Sequence, residues 1–308
     1  MPPRSGRAAY VYFRFFMSFD NSKNKNGSAV SGDEERLLLA RAAELSQRSE
    51  RGEVSATSFL TPRQQRLIYD AQTRSGAADS LFLWGGFKGA ERRVAIFLPP
   101  WITDGCAAPV GAFSQAREEH FVSLLASCGY EEYLNEFTVP VCLSGSGYAS
   151  LGHRDWLGSL TALGIKREVL GDIAVESDIS AYVFAKPEAA AFIVKEMKSA
   201  GRDRVKAEFA PEGVQICPRR SFEKLVSSVA SPRLDGVVRA LCGVSREAAA
   251  EIVNGGAAEL NYLPVQDADR KVCAGDVLSV RGYGKFIIDR CEDETRRGRI
   301  RLEARKYI

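Results

Sequence analysis

Residues 231–262 read SPRLDGVVRALCGVSREAAAEIVNGGAAELNY, and residues 272–290 read VCAGDVLSVRGYGKFIIDR. The first run predicts two short helices and the second predicts strands. Ser231 suits an N-cap, with Pro232 at the first helical position. Leu234, Val237, Val238 and Leu241 then recur on one helical face, and Gly243 ends the turn. Ser245 caps a second helix whose inner face carries Ala248, Ala249, Ile252 and Val253, and Gly255-Gly256 stops it. Ala258, Leu260 and Tyr262 open a period-two pattern, which Val277, Ser279 and Arg281 resume after a Gly275-Asp276 turn. The apolar residues fill the buried faces. Arg233, Arg246, Lys271, Arg281 and Lys285 are left over, at helix starts and strand edges.

Outward from this block, residues 139–143, 173–175, 181–184 and 205–209 read as strands, and 153–163 and 187–199 as helices. That order is βαββαβ, a ferredoxin-like arrangement shared by RNA-recognition modules, enzymes and metal carriers. Nearer the start, a helix follows Asp33 and a second follows Thr61-Pro62. Short strands at 81–84 and 94–98 flank GGFKGAERR (residues 85–93), and a helix over 114–128 turns Phe121, Leu124 and Leu125 inward. The chain ends in ETRRGRIRLEARKYI, where Arg299, Arg301 and Glu303 alternate with Ile300, Leu302 and Ala304, predicting a strand with one charged face.

The expected class is α+β. A poorly ordered extension over 1–32 is polar and rich in Asn, Ser, Lys and Gly from residue 18. A small N-terminal α/β domain covers 33–101, the ferredoxin-like middle domain 102–216, and a third domain 217–308, with a basic last strand. Met17 opens an ordinary polar start, which leaves Met1 and Met17 as alternative natural initiators.

A formal charge of +3 is too small to announce a nucleic-acid binder, so any such surface must come from local segregation of charge. Seven cysteines without a C-x-x-C pair, beside only two histidines, read as reduced intracellular thiols and leave no metal site to propose. No apolar run reaches membrane-spanning length. No cofactor motif stands out: GGFKGAERR lacks the Lys-Ser/Thr ending of a Walker loop, and Gly145-Ser146-Gly147 reads as a turn.

The segment from Ser231 to Arg290 resembles the S4 RNA-binding domain in its RLD, its SR-x-x-A, the Gly275-Asp276 turn and the strand after it. The wider chain is similar to the bacterial YlmH-type S4-domain proteins, through GGFKGAERR, GHRDWLGSLTALGIKREVLGDI (residues 152–173) and SVRGYGKF (residues 279–286). Pro232 and Ala258 depart from the usual wording, but neither removes a basic group. The resemblance implies a cytoplasmic protein that binds structured RNA without chemistry. The implied partners are ribosomal RNA and tRNA on the large ribosomal subunit, in a ribosome-associated or translation quality-control role. S4 modules also accompany pseudouridine synthases, so an RNA-modifying enzyme is the competing reading, with a protein-interaction module as a third.

RNA recognition starts with cations on phosphates. Arg233 is either such a contact or a partner of Asp235 or Asp276, whereas Arg246, Lys271, Arg281 and Lys285 are the better candidates. In GGFKGAERR, Lys88, Arg92 and Arg93 supply charge beside glycine N–H groups, or else the run is a hairpin turn in which Glu91 pairs with an arginine. The resemblance marks Arg154, Lys166 and Arg167 as further candidates. Arg296, Arg297 and Arg299 form a basic run near the C-terminus that is either a patch or a solvated face. Tyr182 and Phe184 share a strand face that serves either as a base-stacking platform or as core.

Overall fold

A computed structural model describes residues 32–103, 115–130, 133–211, 213–214, 216, 222–294 and 298–308. The expected extension (all but Gly32), Met17, Cys106, Cys217, Arg296 and Arg297 lie outside the described residues.

Helix α1 (Gly32–Glu50) starts with Asp33, Glu34 and Glu35 and ends near Arg48, charges that suit its dipole. Strand β1 (Ser55–Leu60) leads to α2 (Pro62–Ser75), where Thr61 and Gln64 form a reciprocal capping box. Strands β2 (Leu81–Trp84) and β3 (Arg93–Phe97) follow, giving an antiparallel sheet in the order β1-β3-β2. One face (Leu60, Leu81, Leu83, Ala95, Phe97) packs on Ala42, Leu45 and Ile68 of the two helices. After the short α3 (Pro100–Thr103), α4 (Gln115–Ser127) lays Phe121, Leu124 and Leu125 against Phe82, Val94 and Ile96 on the other face. The helix expected to open the middle domain thus covers the N-terminal sheet. Strand β1 escapes the sequence reading because SATSFL does not alternate strictly.

A short α5 (Leu134–Phe137) precedes β4 (Val139–Gly145), α6 (His153–Ala162), β5 (Leu170–Val175), β6 (Ser180–Ala185), α7 (Pro187–Glu196), β7 (Ser199–Ala200) and β8 (Asp203–Phe209). The sheet order is β5-β6-β4-β8-β7, with every neighbour antiparallel. Trp156 and Leu160 of α6 and Ile193 of α7 fill one face with Val141, Leu143 and Val183. Helix α7 ends earlier than periodicity predicts because Ser199 and Ala200 pair back onto β8.

The last part holds β9 (Phe222–Val229), α8 (Leu234–Cys242), α9 (Arg246–Asn254), β10 (Ala258–Leu260), β11 (Leu263–Pro264), β12 (Val277–Val280), β13 (Gly284–Glu294) and β14 (Ile300–Tyr307). Their sheet runs β11-β10-β12-β13-β14-β9. Both helices cover one face, Leu234, Val237, Val238, Ala249 and Val253 meeting Phe286, Ile288 and Leu302.

Two expectations need correction here. Helix α8 is capped by Arg233 rather than Ser231, because the loop before β12 satisfies its first N–H groups. Leu234 donates to the Arg270 carbonyl (2.9 Å), Asp235 to that of Ala268 (3.1 Å), and Val272 donates back to Pro232 (2.8 Å). The strand expected to continue through Tyr262 stops at Leu260. Asn261 and Tyr262 turn left-handed, at φ 51° and 67°. Asn261 fixes that turn: its side chain donates to Asp276 (2.8 Å) and accepts from the Val277 N–H (3.0 Å).

Candidate nucleic-acid interface

The middle sheet's second face, where bases would stack in an RNA-recognition module, is occupied. Phe184 is fully buried, Tyr182 is 9% exposed, and Phe87 from GGFKGAERR stacks on Phe184 with ring centroids 4.8 Å apart. A Cβ on Gly86 would lie 2.2 Å from the Phe184 ring, and one on Gly171 2.6 Å from Phe59. These glycines let the N-terminal loop close onto the sheet.

The same loop spends its polar groups inward. The N–H groups of Glu91 and Arg92 donate to the Asp172 carboxylate (2.6 and 3.0 Å), and that of Gly89 donates to Glu118 (3.1 Å). Arg92 donates to the carbonyls of Leu170, Phe59 and Arg167. Burial, and then Arg167, lowers its pKa, while Asp172 opposes the shift. Arg93 is 9% exposed and pairs with buried Glu118 at 2.6 Å. Glu91 pairs with Lys285 (2.8 Å). Arg92 and Arg93, both expected to meet phosphate, therefore hold the loop in place. Lys88 is exposed and meets Glu119.

Helix α6 opens with the Asp155 carboxylate accepting the Gly152 N–H (2.8 Å), which leaves Arg154 pointing to solvent. Arg167 sits near both Arg92 and His153. Burial first, and Arg167 second, lowers the His153 pKa. Lys166 makes a long ion pair with Glu168, 3.9 Å.

In the last part, Arg233 pairs with Asp235 (3.1 Å) and with Asp269, so it locks the start of α8. Burial alone would raise the Asp235 pKa, but hydrogen bonds from Arg233 and Gly236 and the charges of Arg233 and Arg246 outweigh it. Arg233, Arg246 and Lys271, which bridges to Arg233 across the backbone, are therefore neighbours. Arg281 lies in the tight turn between β12 and β13. Lys285 has its ammonium 5.1 Å from the Tyr262 ring centre and 4.8 Å from that of Tyr307. These are internal contacts of a residue expected to meet RNA. Arg299 donates to the Ser228 carbonyl, and Arg301 and Arg305 are paired with Glu303 and Asp289.

Arg154, Arg167, Arg246, Lys271 and Arg281 are exposed and, among the described residues, close no ion pair. Sequence reasoning missed Asp172 and Asp203, two carboxylates that anchor loops 80 and more, and up to 57, residues away in the chain. No local pattern marks such partners. Among the described residues, no cluster could hold a metal ion and no helix is long and apolar enough to cross a membrane.

Residues 140–212 match a family model described as "Putative RNA-binding domain in YlmH". The chain is 30% identical over 247 residues to "Ribosome-associated protein quality control protein P2" of Bacillus subtilis, an alignment spanning 80% of this chain and 84% of that protein. "Cell division protein ylmH" from Streptococcus pneumoniae is a solved structure similar at a TM-score of 0.40 and 18% identity, over 61% of this chain and 96% of that one.

Proposed function

The chain belongs to the YlmH family, and from that premise we propose that it binds structured RNA without chemistry, in a ribosome-associated role. The observation that carries this reading is that five of the candidate cations, Arg154, Arg167, Arg246, Lys271 and Arg281, are exposed and close no ion pair among the described residues. Two of them, Arg154 and Arg246, stand in the first turns of α6 and α9, where the helix dipole disfavours a cation. An RNA phosphate at each position would offset that conflict and accept from the helix N–H groups. Lys88 and Lys166, whose ion pairs are solvated, and Arg299, Arg296 and Arg297 remain secondary candidates.

In this reading the sheet of β4, β5, β6 and β8 is ferredoxin-like, and the part from β9 onward is an S4-type RNA-binding domain. The partners are ribosomal RNA and tRNA on the large ribosomal subunit, and the setting is cytoplasmic translation quality control. The name of the Bacillus subtilis relative supports the ribosomal setting. Recognition is by shape, since A-form helices hide base edges from side chains.

Crosslinking in cells followed by sequencing of the bound RNA tests the proposal. Reads concentrated in large-subunit ribosomal RNA and tRNA are expected. A profile that matches total cellular RNA would overturn it. RNA recovered after incubation with the protein should show unchanged nucleoside masses.

A further inference from the structure

At one end of the middle sheet the loop after β4, the turn between β5 and β6, and the start of β8 come together. Asp203 is 1% exposed there, and its carboxylate accepts the Ser146 hydroxyl and the N–H groups of Gly147 (3.2 Å) and Ala149 (3.5 Å). The hydroxyl contact, ahead of the backbone ones, lowers the Asp203 pKa against the opposing effect of burial. Gly147 takes φ 88°, which closes the loop above the carboxylate. Three backbone bonds fix the rim: Ser146 N–H to Arg204, Gly145 N–H to Ile179 and Leu151 N–H to Asp178, at 2.9, 2.7 and 2.6 Å. Leu151 anchors the far side in the core.

This pinned loop carries Tyr148 at 79% exposure, and the neighbouring turn carries Ile179 at 42%. A tyrosine so exposed adds nothing to the core. Its fixed support nevertheless removes the ordering entropy that binding would otherwise cost. Arg202 and Arg204, on either side of Asp203 in the chain, are exposed and form no ion pair among the described residues. Glu176 and Asp178 lie in the facing turn, so a polyanionic backbone is favoured on the arginine side only. An exposed ring on a loop hydrogen-bonded to the strand start that carries two exposed arginines fits a base with its phosphate better than it fits an apolar peptide.

We propose that Tyr148 is a stacking platform for an unpaired base, with Arg202 and Arg204 on the adjoining phosphates. The inference rests on the RNA-binding reading and adds a site for single-stranded segments of the bound RNA.

The test compares a hairpin RNA carrying 2-aminopurine in its loop with a blunt duplex of the same stem. Wild type should quench the fluorophore. Tyr148→Ala should weaken hairpin binding about 5- to 150-fold, the range that losing one stacked base gives, and leave duplex binding unchanged. Tyr148→Phe should behave as wild type. Asp203→Asn keeps the ring but loosens its support, so it should lose part of the hairpin affinity and the quenching. If Tyr148→Ala binds both RNAs as wild type does, or loses both equally, the stacking role is wrong while RNA binding stands. A wild type that binds neither RNA overturns the RNA reading and this inference with it.

Discussion

Lys285 and Glu91, 194 residues apart in the chain, meet at 2.8 Å and tie the loop before β3 to the C-terminal sheet. Tyr262 and Tyr307 receive the same ammonium on their rings. Tyr262 reaches it from a left-handed conformation that a bulky side chain rarely adopts. Around the contact lies a cavity of about 520 Å³ lined by Gln65, Arg66, Glu91, Arg93, Tyr262 and Tyr307. The joint is thus polar and incompletely filled, and the lysine is one of the contacts that close it.

Replacing Lys285 by Met should lower stability by about 1 kcal/mol, since the carboxylate partner is partly solvated and most of the loss is the cation–π contact. Glu91→Gln should have a smaller effect, and the double variant should lose less than the sum. A double-mutant cycle in urea measures this, and strict additivity would show the pair to be uncoupled.

Gly86→Ala places a methyl group against the Phe184 ring at a position with φ 96°. Overpacking and the left-handed backbone together should cost about 2–4 kcal/mol. The expected readout is a lower denaturation midpoint. A variant as stable as wild type would mean that the loop does not close on the sheet as described.

Much of this architecture can be read from the chain. Thr61-Pro62 announces α2, the apolar spacing of Leu234 to Leu241 announces α8, and the alternation in the last strand places Leu302 and Ala304 inward. The candidate site was harder to read, because a cation's role depends on a carboxylate distant in sequence. Arg93 and Arg154 look alike as letters, yet Glu118 neutralises one and nothing described meets the other. Likewise, Phe184 looks like a stacking aromatic until Phe87 arrives from nearly a hundred residues upstream.

Asp235→Asn removes the charge that Arg233 holds and should cost about 1 kcal/mol at neutral pH. The folded pKa of Asp235 is depressed, so this stabilisation is complete above the ordinary carboxylate value and is lost as pH falls through the folded one. Wild-type and variant unfolding curves should therefore converge in acid. A gap independent of pH would rule out the ion pair as its source.

Lys186 rests its ammonium 5.9 Å from the Phe59 ring centre, closes no ion pair among the described residues, and is pushed down by burial to about 8. Between about 8 and its ordinary value the unfolded chain binds the extra proton, so wild-type stability should rise with pH across that window. Lys186→Met should abolish the slope and gain about 1–3 kcal/mol at neutral pH. Unfolding free energies measured on both sides of the window would show it, and parallel curves would contradict it.

The central claim is that exposed cations that close no ion pair among the described residues grip RNA phosphates. Its most direct measurement is the salt dependence of binding to large-subunit ribosomal RNA, for wild type and for a variant with Arg246, Lys271 and Arg281 changed to Gln. The account predicts weaker binding, a slope of log affinity against log salt smaller by about 3, or roughly one per contact, and an almost unchanged unfolding midpoint. Equal affinity and equal slope for the two proteins would contradict it.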